Sequence, residues 1–269
     1  KENETLNTLV PIWKKDKKKI KEEEYNNFYM EKFSDYANPD DIIHINAEGL
    51  VTYDGILFIP SHTPFNYYSK EYEKGLQLYT NGVLIMDKCS ELLPDYFSFV
   101  RGVIDTEDIP LNISRETLQD DKNIKLIAKS IETKVKNELL DLLKNNRDKY
   151  LEFYKAFGMQ LKFGIYNDYG MHKDKLEDLI MFYSSSEKKL ITLDEYVSKL
   201  KEEDKNIYYC AGETVDKIDM LPQVEGIKDK HEVLYLTDYV DEFAIMAIRE
   251  YKGKTFVNVT NESTDLSTD

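Results

Sequence analysis

The sequence predicts an α/β chain: a larger sheet-and-helix domain, a helical connector, and a smaller α/β domain. Three observations predict it. Strand-like runs crowd the first hundred residues, one with four consecutive apolar residues, Ile56-Leu57-Phe58-Ile59, as a strand covered on both faces requires. A long stripe of Ile124, Ile127, Ala128, Ile131, Val135, Leu139, Leu142 and Leu143 follows and reads as one helix with a single buried face. After residue 186, helix and strand signals alternate, the pattern of a small α/β unit.

The elements follow in order. The apolar cluster Leu9-Val10-Pro11-Ile12-Trp13 leads into a lysine run, Lys14 to Lys21, and then into a helix with Tyr25, Phe28, Tyr29 and Phe33 at helical spacing. Strands are expected over Ile42 to Ala47 and Val51 to Pro60. Leu76 to Thr80 and Val83 to Asp87 flank Asn81-Gly82, two residues that tolerate positive φ at both centres of a type I′ turn, which predicts a hairpin. Phe97 to Ile104 reads as a further strand, followed by an acidic loop and the long helix.

These elements make a first domain of residues 1–144. The connector, 145–185, is expected as short helices with Phe153, Phe157, Leu161, Leu176, Leu179 and Ile180 buried. The small domain, 186–262, opens a helix with the capping box Thr192-Leu-Asp-Glu195. Strands are expected over Ile207 to Ala211, Glu232 to Leu236 and Thr255 to Val259, with a helix over Tyr239 to Tyr251. Residues 263–269 read as a polar tail.

Composition narrows the function classes. With 269 residues, 41% of them apolar and 32% charged, the chain can bury cores beneath a well-solvated surface. A formal net charge of −15 repels phosphate backbones and anionic headgroups, so neither nucleic acid nor membrane is an expected partner. The lysine run reads as a solvated loop. Two cysteines, Cys89 and Cys210, stand far apart and outside any C-x-x-C pair, which fits reduced thiols in the cytoplasm. No run approaches the 18 or more apolar residues of a membrane span, and the first residues lack a signal-peptide pattern, so the chain reads as an excised middle piece.

Autonomous catalytic machinery is not legible. There is no G-x-G-x-x-G, and Gly253-Lys254-Thr255 resembles the end of a phosphate loop but has Ile248 where the first glycine belongs. His44, His62, His172 and His231 lack metal-ligand spacing, so no metal site is expected.

The informative stretch is Phe97 to Gln119, FSFVRGVIDTEDIPLNISRETLQ. It resembles the strand and catalytic loop of the heat-shock protein 90 family, whose Asp-x-Glu-Asp-x-Pro-Leu-Asn-x-Ser-Arg-Glu-x-Leu-Gln pattern is present in full. Similarity continues in PIW (Pro11 to Trp13), EEYNNFY (Glu23 to Tyr29), LFIP (Leu57 to Pro60), NIYY (Asn206 to Tyr209) and GKTFVNVT (Gly253 to Thr260). The chain is identified as a middle segment of that family, closer to the bacterial than to the eukaryotic cytosolic type. The resemblance implies that the larger domain is ribosomal protein S5 domain 2-like.

It also implies a function: coupling ATP hydrolysis, with Mg2+ accompanying the nucleotide, to the remodelling of client proteins. The nucleotide would be held mainly by an amino-terminal domain, and a carboxy-terminal domain would make the parent protein a homodimer, with this segment a monomer. By position, Arg115 would reach the γ-phosphate, supported by Asn112 and Gln119. A planar, permanently charged guanidinium bridges phosphate oxygens as a fork. The bland alternative pairs Arg115 with Glu116 or Asp108.

Glu242, Phe243 and Met246 fall where the bacterial proteins bind unfolded clients, the family carrying Trp at the Phe243 position. Trp13 corresponds to a client-facing Trp, and Phe65 to a residue that packs against the nucleotide-binding domain on closure. Core packing is the alternative for each. A protein-binding adaptor without catalytic contribution is the competing function, and a stand-alone small-molecule enzyme a third.

Overall fold

The computed structural model describes residues 10–261; Leu9 and the tail 263–269 lie outside them. Its contacts divide the chain into two units, residues 1–157 and 158–269.

The first unit is built on a five-stranded sheet. Helix α1 (Glu22–Phe33) precedes β1 (Asp41–Ala47), β2 (Tyr53–Ile59), β3 (Leu76–Thr80), β4 (Val83–Cys89) and β5 (Arg101–Asp105), which assemble in the order β1-β2-β5-β3-β4. The β3–β5 pair is parallel and the others antiparallel. Asn81 and Gly82 adopt φ of 48° and 76° between β3 and β4, the geometry that the hairpin signal predicts. Among the described residues the outer strand β4 pairs only with β3, through two register shifts, and leaves Val83 and Leu84 about half exposed.

Strand alternation gives the sheet two faces. Ile56, Phe58, Tyr79 and Val103 pack with Tyr29 of α1 and with Trp13. On the other face, Tyr53 shares a 2.7 Å hydrogen bond with Ser130 of the long helix α3 (Lys122–Asn145), which buries Ile124, Ile127, Ile131, Val135, Leu139 and Leu142. Close approach of β2 and β5 depends on Gly102, where a Cβ would stand 2.2 Å from the Ile56 carbonyl oxygen.

The strand expected from Phe97 starts only at Arg101. Residues Asp95–Phe97 form a 3-10 turn, and Phe97 and Phe99 pack against each other, with Phe99 stacked on Phe157 at 4.8 Å. An aromatic run can bury consecutive side chains from a turn as well as from a strand, so the apolar pattern alone misplaces the boundary.

Helix α4 (Arg147–Asn167) carries the chain from the first unit into the second, and α5 (Lys173–Leu176) follows. The second unit contains β6 (Met181–Ser184), β7 (Leu190–Thr192), α6 (Leu193–Val197), β8 (Asn206–Ala211), α7 (Val215–Asp219), α8 (Pro222–Glu225), β9 (Val233–Leu236), α9 (Asp241–Ile248), β10 (Glu250–Tyr251) and β11 (Lys254–Asn258). Its sheet runs β10-β11-β8-β9-β6-β7. Strands β11, β8 and β9 are parallel, over a core of Cys210, Ile218, Val224, Ile227, Val233, Tyr235 and Val259. The capping box of α6 forms as its sequence predicts, Thr192 Oγ1 accepting from the Glu195 N–H at 3.1 Å and Glu195 Oε1 from the Thr192 N–H at 3.0 Å.

The helix expected to run to Tyr251 stops at Ile248 because Arg249 turns to φ 68°. Tyr251 instead enters a hairpin whose turn is Lys252 and Gly253, at φ 48° and 77°. The phosphate-loop lookalike is therefore a strand turn.

One buried contact gives the first unit a pH dependence. Asp41, at the start of β1, is 9% exposed beside Glu138 of α3, with Lys149 Nζ at 3.7 Å. Burial, then the hydrogen bond and negative charge of Asp41, push the Glu138 carboxyl up to about 8. An unfolded Glu titrates near ~4.3, so the folded state holds this proton more tightly. The associated stability is present at acid pH and falls as pH rises through about 8. Urea unfolding at pH 6 and pH 9 should register the fall in wild type, and Glu138→Gln should flatten it and be the more stable protein at pH 9.

Candidate functional site

The loop after β5 is fixed at its ends and free at its tip. Asp105, the last residue of β5, is 3% exposed, and its Oδ2 accepts from Trp13 Nε1 at 3.0 Å and from the Gly82 N–H at 3.2 Å. Lys14 Nζ lies 3.6 Å from the same oxygen. One carboxylate thus ties the amino-terminal segment, the hairpin turn and the base of the loop together. Sequence reasoning missed it, because its partners are 92 and 23 residues away.

Beyond it, the Thr106 hydroxyl donates to the Thr52 carbonyl at 3.0 Å, and buried Thr80 donates to the Ile109 carbonyl at 2.9 Å. Ile109 and Leu118 are the apolar anchors, both buried. Between them, Ser114 and Thr117 close a reciprocal cap that starts the single-turn helix α2 (Arg115–Leu118). Asp121 Oδ1 then caps α3 by accepting from the Ile124 N–H at 2.9 Å.

Arg115 and Asn112 lie exposed between these anchors, and Gln119 lies exposed just past Leu118. Among the described residues Arg115 has no hydrogen-bond or ion-pair partner, so the surface pairing with Glu116 or Asp108 does not form. The tip brings the three polar side chains onto one short stretch, with a guanidinium whose donors are uncommitted. No group of three or more His, Cys, Asp or Glu residues among the described residues could hold a metal ion.

Trp13 is in the core: it is 7% exposed, with its ring 5.0 Å from Tyr79 and 6.1 Å from Phe28. Its carbonyl accepts from Asn46 Nδ2 at 3.3 Å and lies 3.0 Å from His44 Nε2. The expectation of a client-facing Trp13 is corrected, since the β1–β5 sheet and α1 need this ring to close their packing. Phe65 is the reverse case, fully exposed in the turn that Tyr67 anchors through its 2.8 Å hydrogen bond to Ser98.

In the second unit, Glu242, Phe243 and Met246 all point outward from α9, while Val240, Ala244, Ile245 and Ile248 are buried. The helix is pinned by Asp241, 2% exposed, which pairs with buried Lys162 at 2.7 Å. Burial drives the Asp241 carboxyl above the ordinary range, and the Lys162 charge opposes that rise. Removing one partner of such a pair strands a buried charge, so the pair fixes the helix as firmly as it fixes itself.

The whole chain, residues 1–269, matches the family model described as Hsp90 protein. It is 55% identical over 269 residues to the Chaperone protein HtpG of Clostridium acetobutylicum, covering all of this chain and 43% of that protein. Against the Chaperone protein HtpG of Alkaliphilus oremlandii it is 57% identical over 266 residues, 98% of this chain and 42% of the other. The chain spans well under half the length of these curated relatives. Among solved structures, it superposes on the middle domain of a Plasmodium falciparum heat shock protein with a TM-score of 0.81 and 32% identity, covering 93% of this chain and 100% of that one. No helix of the described residues is long and apolar enough to cross a membrane. With the family model spanning every residue and a middle domain as its structural counterpart, the chain belongs to the Hsp90 protein family, as a middle-domain segment of the HtpG type.

Proposed function

We propose that this segment works within a cytoplasmic, ATP-dependent chaperone of the stress response: it lends Arg115 to a nucleotide held by an amino-terminal domain, and it binds unfolded clients on the outer face of α9. The observation that carries the catalytic half is the uncommitted Arg115 guanidinium on an exposed tip whose base is anchored. A charge held ready in this way needs no rearrangement of its own partners when a phosphate arrives. ATP and its Mg2+ would supply the scissile phosphoanhydride. Arg115 would offset charge on the transferring phosphoryl, with Asn112 and Gln119 as flanking hydrogen-bonding groups, and closure would exclude water. Phe65, bare at its turn, is suited to cover apolar surface on the neighbouring domain as it closes.

The test is steady-state ATP turnover by the full-length chaperone with Arg115→Ala, alongside nucleotide affinity. If turnover does not change, the adaptor reading takes its place. For the client half, exposed Phe243 beside flexible Met246 suits adaptable apolar contact. Phe243→Ser in the full-length protein should weaken binding of a permanently unfolded polypeptide by roughly five- to tenfold, the cost of losing one aromatic anchor. Titration by fluorescence anisotropy would measure it.

A further inference from the structure

From Phe163 to Lys173, the end of α4 and the turn after it run alongside α9 in step. The Phe163 ring lies 5.6 Å from Tyr239 and the Tyr166 ring 5.1 Å from Phe243. Gly170 faces Ala247 so closely that a Cβ would stand 2.4 Å from its carbonyl oxygen, and Lys173 Nζ donates to the Ile248 carbonyl at 2.7 Å. Two adjacent rows result: Tyr239, just before α9, with Phe243 and Met246 on it, and Tyr166 with Tyr169 and Met171, which flank Gly170. Tyr169, Met171, Tyr239 and Met246 are between 69% and 85% exposed, a concentration of large apolar groups that an isolated surface does not favour.

A second observation concerns how Tyr169 is held. The Gly170 N–H donates to the Ile165 carbonyl at 2.9 Å and the Tyr169 N–H to the Tyr166 carbonyl at 3.0 Å. This is the Schellman pairing that ends many helices, and it puts Tyr169 in the left-handed region at φ 56°. Glycine or asparagine is favoured at that position, because a Cβ costs energy there. Tyrosine occupies it with its ring in solvent, so packing does not repay the cost. Backbone strain kept without a packing return points to a role for the side chain.

The charges around the two rows are mostly acidic. Glu242 has no hydrogen-bond or ion-pair partner among the described residues. The Asp238 carboxylate is 43% exposed beyond Lys162, and the Asp168 carboxylate, bonded to His172, is 27% exposed. Arg249, past the end of α9, is exposed, whereas Lys173 is committed to the Ile248 carbonyl.

We propose that the client surface extends from α9 across to Tyr166, Tyr169 and Met171, and that it takes an extended segment of unfolded polypeptide carrying apolar side chains interspersed with basic ones. This rests on α9 being a client surface and adds the second row and the preferred charge. The rings and thioethers give adaptable apolar area, and Glu242, Asp238 and Asp168 select for lysine or arginine between the apolar residues.

The experiment uses the full-length chaperone and two labelled synthetic peptides of equal length, one of Leu and Phe interspersed with Lys, the other with Glu replacing Lys. Tyr169→Gly and Tyr169→Asn both suit the left-handed backbone, so melting temperatures at or above wild type are expected. Both should weaken the Lys peptide roughly fivefold, as Phe243→Ser should, and the Glu peptide should bind more weakly throughout. If Phe243→Ser weakens binding but neither Tyr169 variant does, the second row is overturned and the α9 surface stands. If Phe243→Ser is also without effect, the α9 reading fails and takes this one with it. Equal affinity for the two peptides overturns the charge preference, and a lowered melting temperature in both Tyr169 variants makes that side chain structural.

Discussion

Arg115→Ala in the full-length chaperone is expected to lower steady-state ATP turnover by roughly tenfold to a hundredfold while leaving nucleotide affinity nearly unchanged. The lower bound reflects kinetics. Arginines donated to GTPases accelerate chemistry by ~10³ to 10⁵, but where closure of domains limits turnover, part of a chemical defect stays hidden behind the slower motion. Affinity should be spared because, in the proposed arrangement, the amino-terminal domain holds most of the nucleotide. Arg115→Lys separates charge from geometry: lysine keeps the positive charge without the planar fork, so turnover between wild type and the alanine variant is expected. Asn112→Ala and Gln119→Ala, which remove neutral groups, should cost less. Unchanged turnover in Arg115→Ala would leave the segment as a protein-binding connector.

Trp13→Ala is expected to destabilise the first unit by ~3–5 kcal/mol, the usual cost of emptying a large aromatic site. Two losses add here. The ring leaves its contacts with Tyr79 and Phe28, and Asp105, 3% exposed, loses its 3.0 Å indole donor. At ~2–4 °C per kcal/mol for a domain of this size, the melting temperature should fall by on the order of 10 °C. Trp13 is the only tryptophan, so its fluorescence gives an independent reading: wild-type emission should be that of a buried indole and shift to the red on unfolding. A client-contacting surface residue would behave oppositely, with solvent-like emission in the folded protein and little stability lost on truncation.

The strength of the local signal decided what could be read from the sequence. The Asn81-Gly82 turn, the Thr192 capping box and the α3 stripe are written in neighbouring residues, and the structure has each of them. Phe97 to Val100 and the end of α9 depart from expectation because an apolar run carries no mark of whether its backbone is extended or turned, and Arg249 gives no glycine-like warning of its left-handed φ. For the loop after β5, the motif supplies residue identities, but the anchoring of its base comes from long-range pairs such as Thr80 with Ile109 and Trp13 with Asp105. Likewise the second row beside α9 was invisible: Tyr166 and Phe243 meet across 77 residues, counted from their numbers in the sequence, and no periodicity connects them. The resemblance implies an exposed Trp13 and the structure buries its ring, since resemblance transfers a position more safely than an exposure.

The outer strand β4 has a further consequence, for aggregation. A protein proposed to hold unfolded chains meets extended polypeptide routinely, and an open sheet edge with half-exposed Val83 and Leu84 is a template on which such a chain could add a strand. Two features work against that outcome. The paired register shifts in β3–β4 twist the edge away from the flat geometry that strand addition needs, and Asp87 and Lys88, exposed at the far end of β4, place both signs of charge where an incoming apolar strand would have to lie. Under the proposed function these features would leave client contact to side-chain surfaces, from which a bound chain can be released, and keep it off the backbone edge, where pairing would spread from copy to copy.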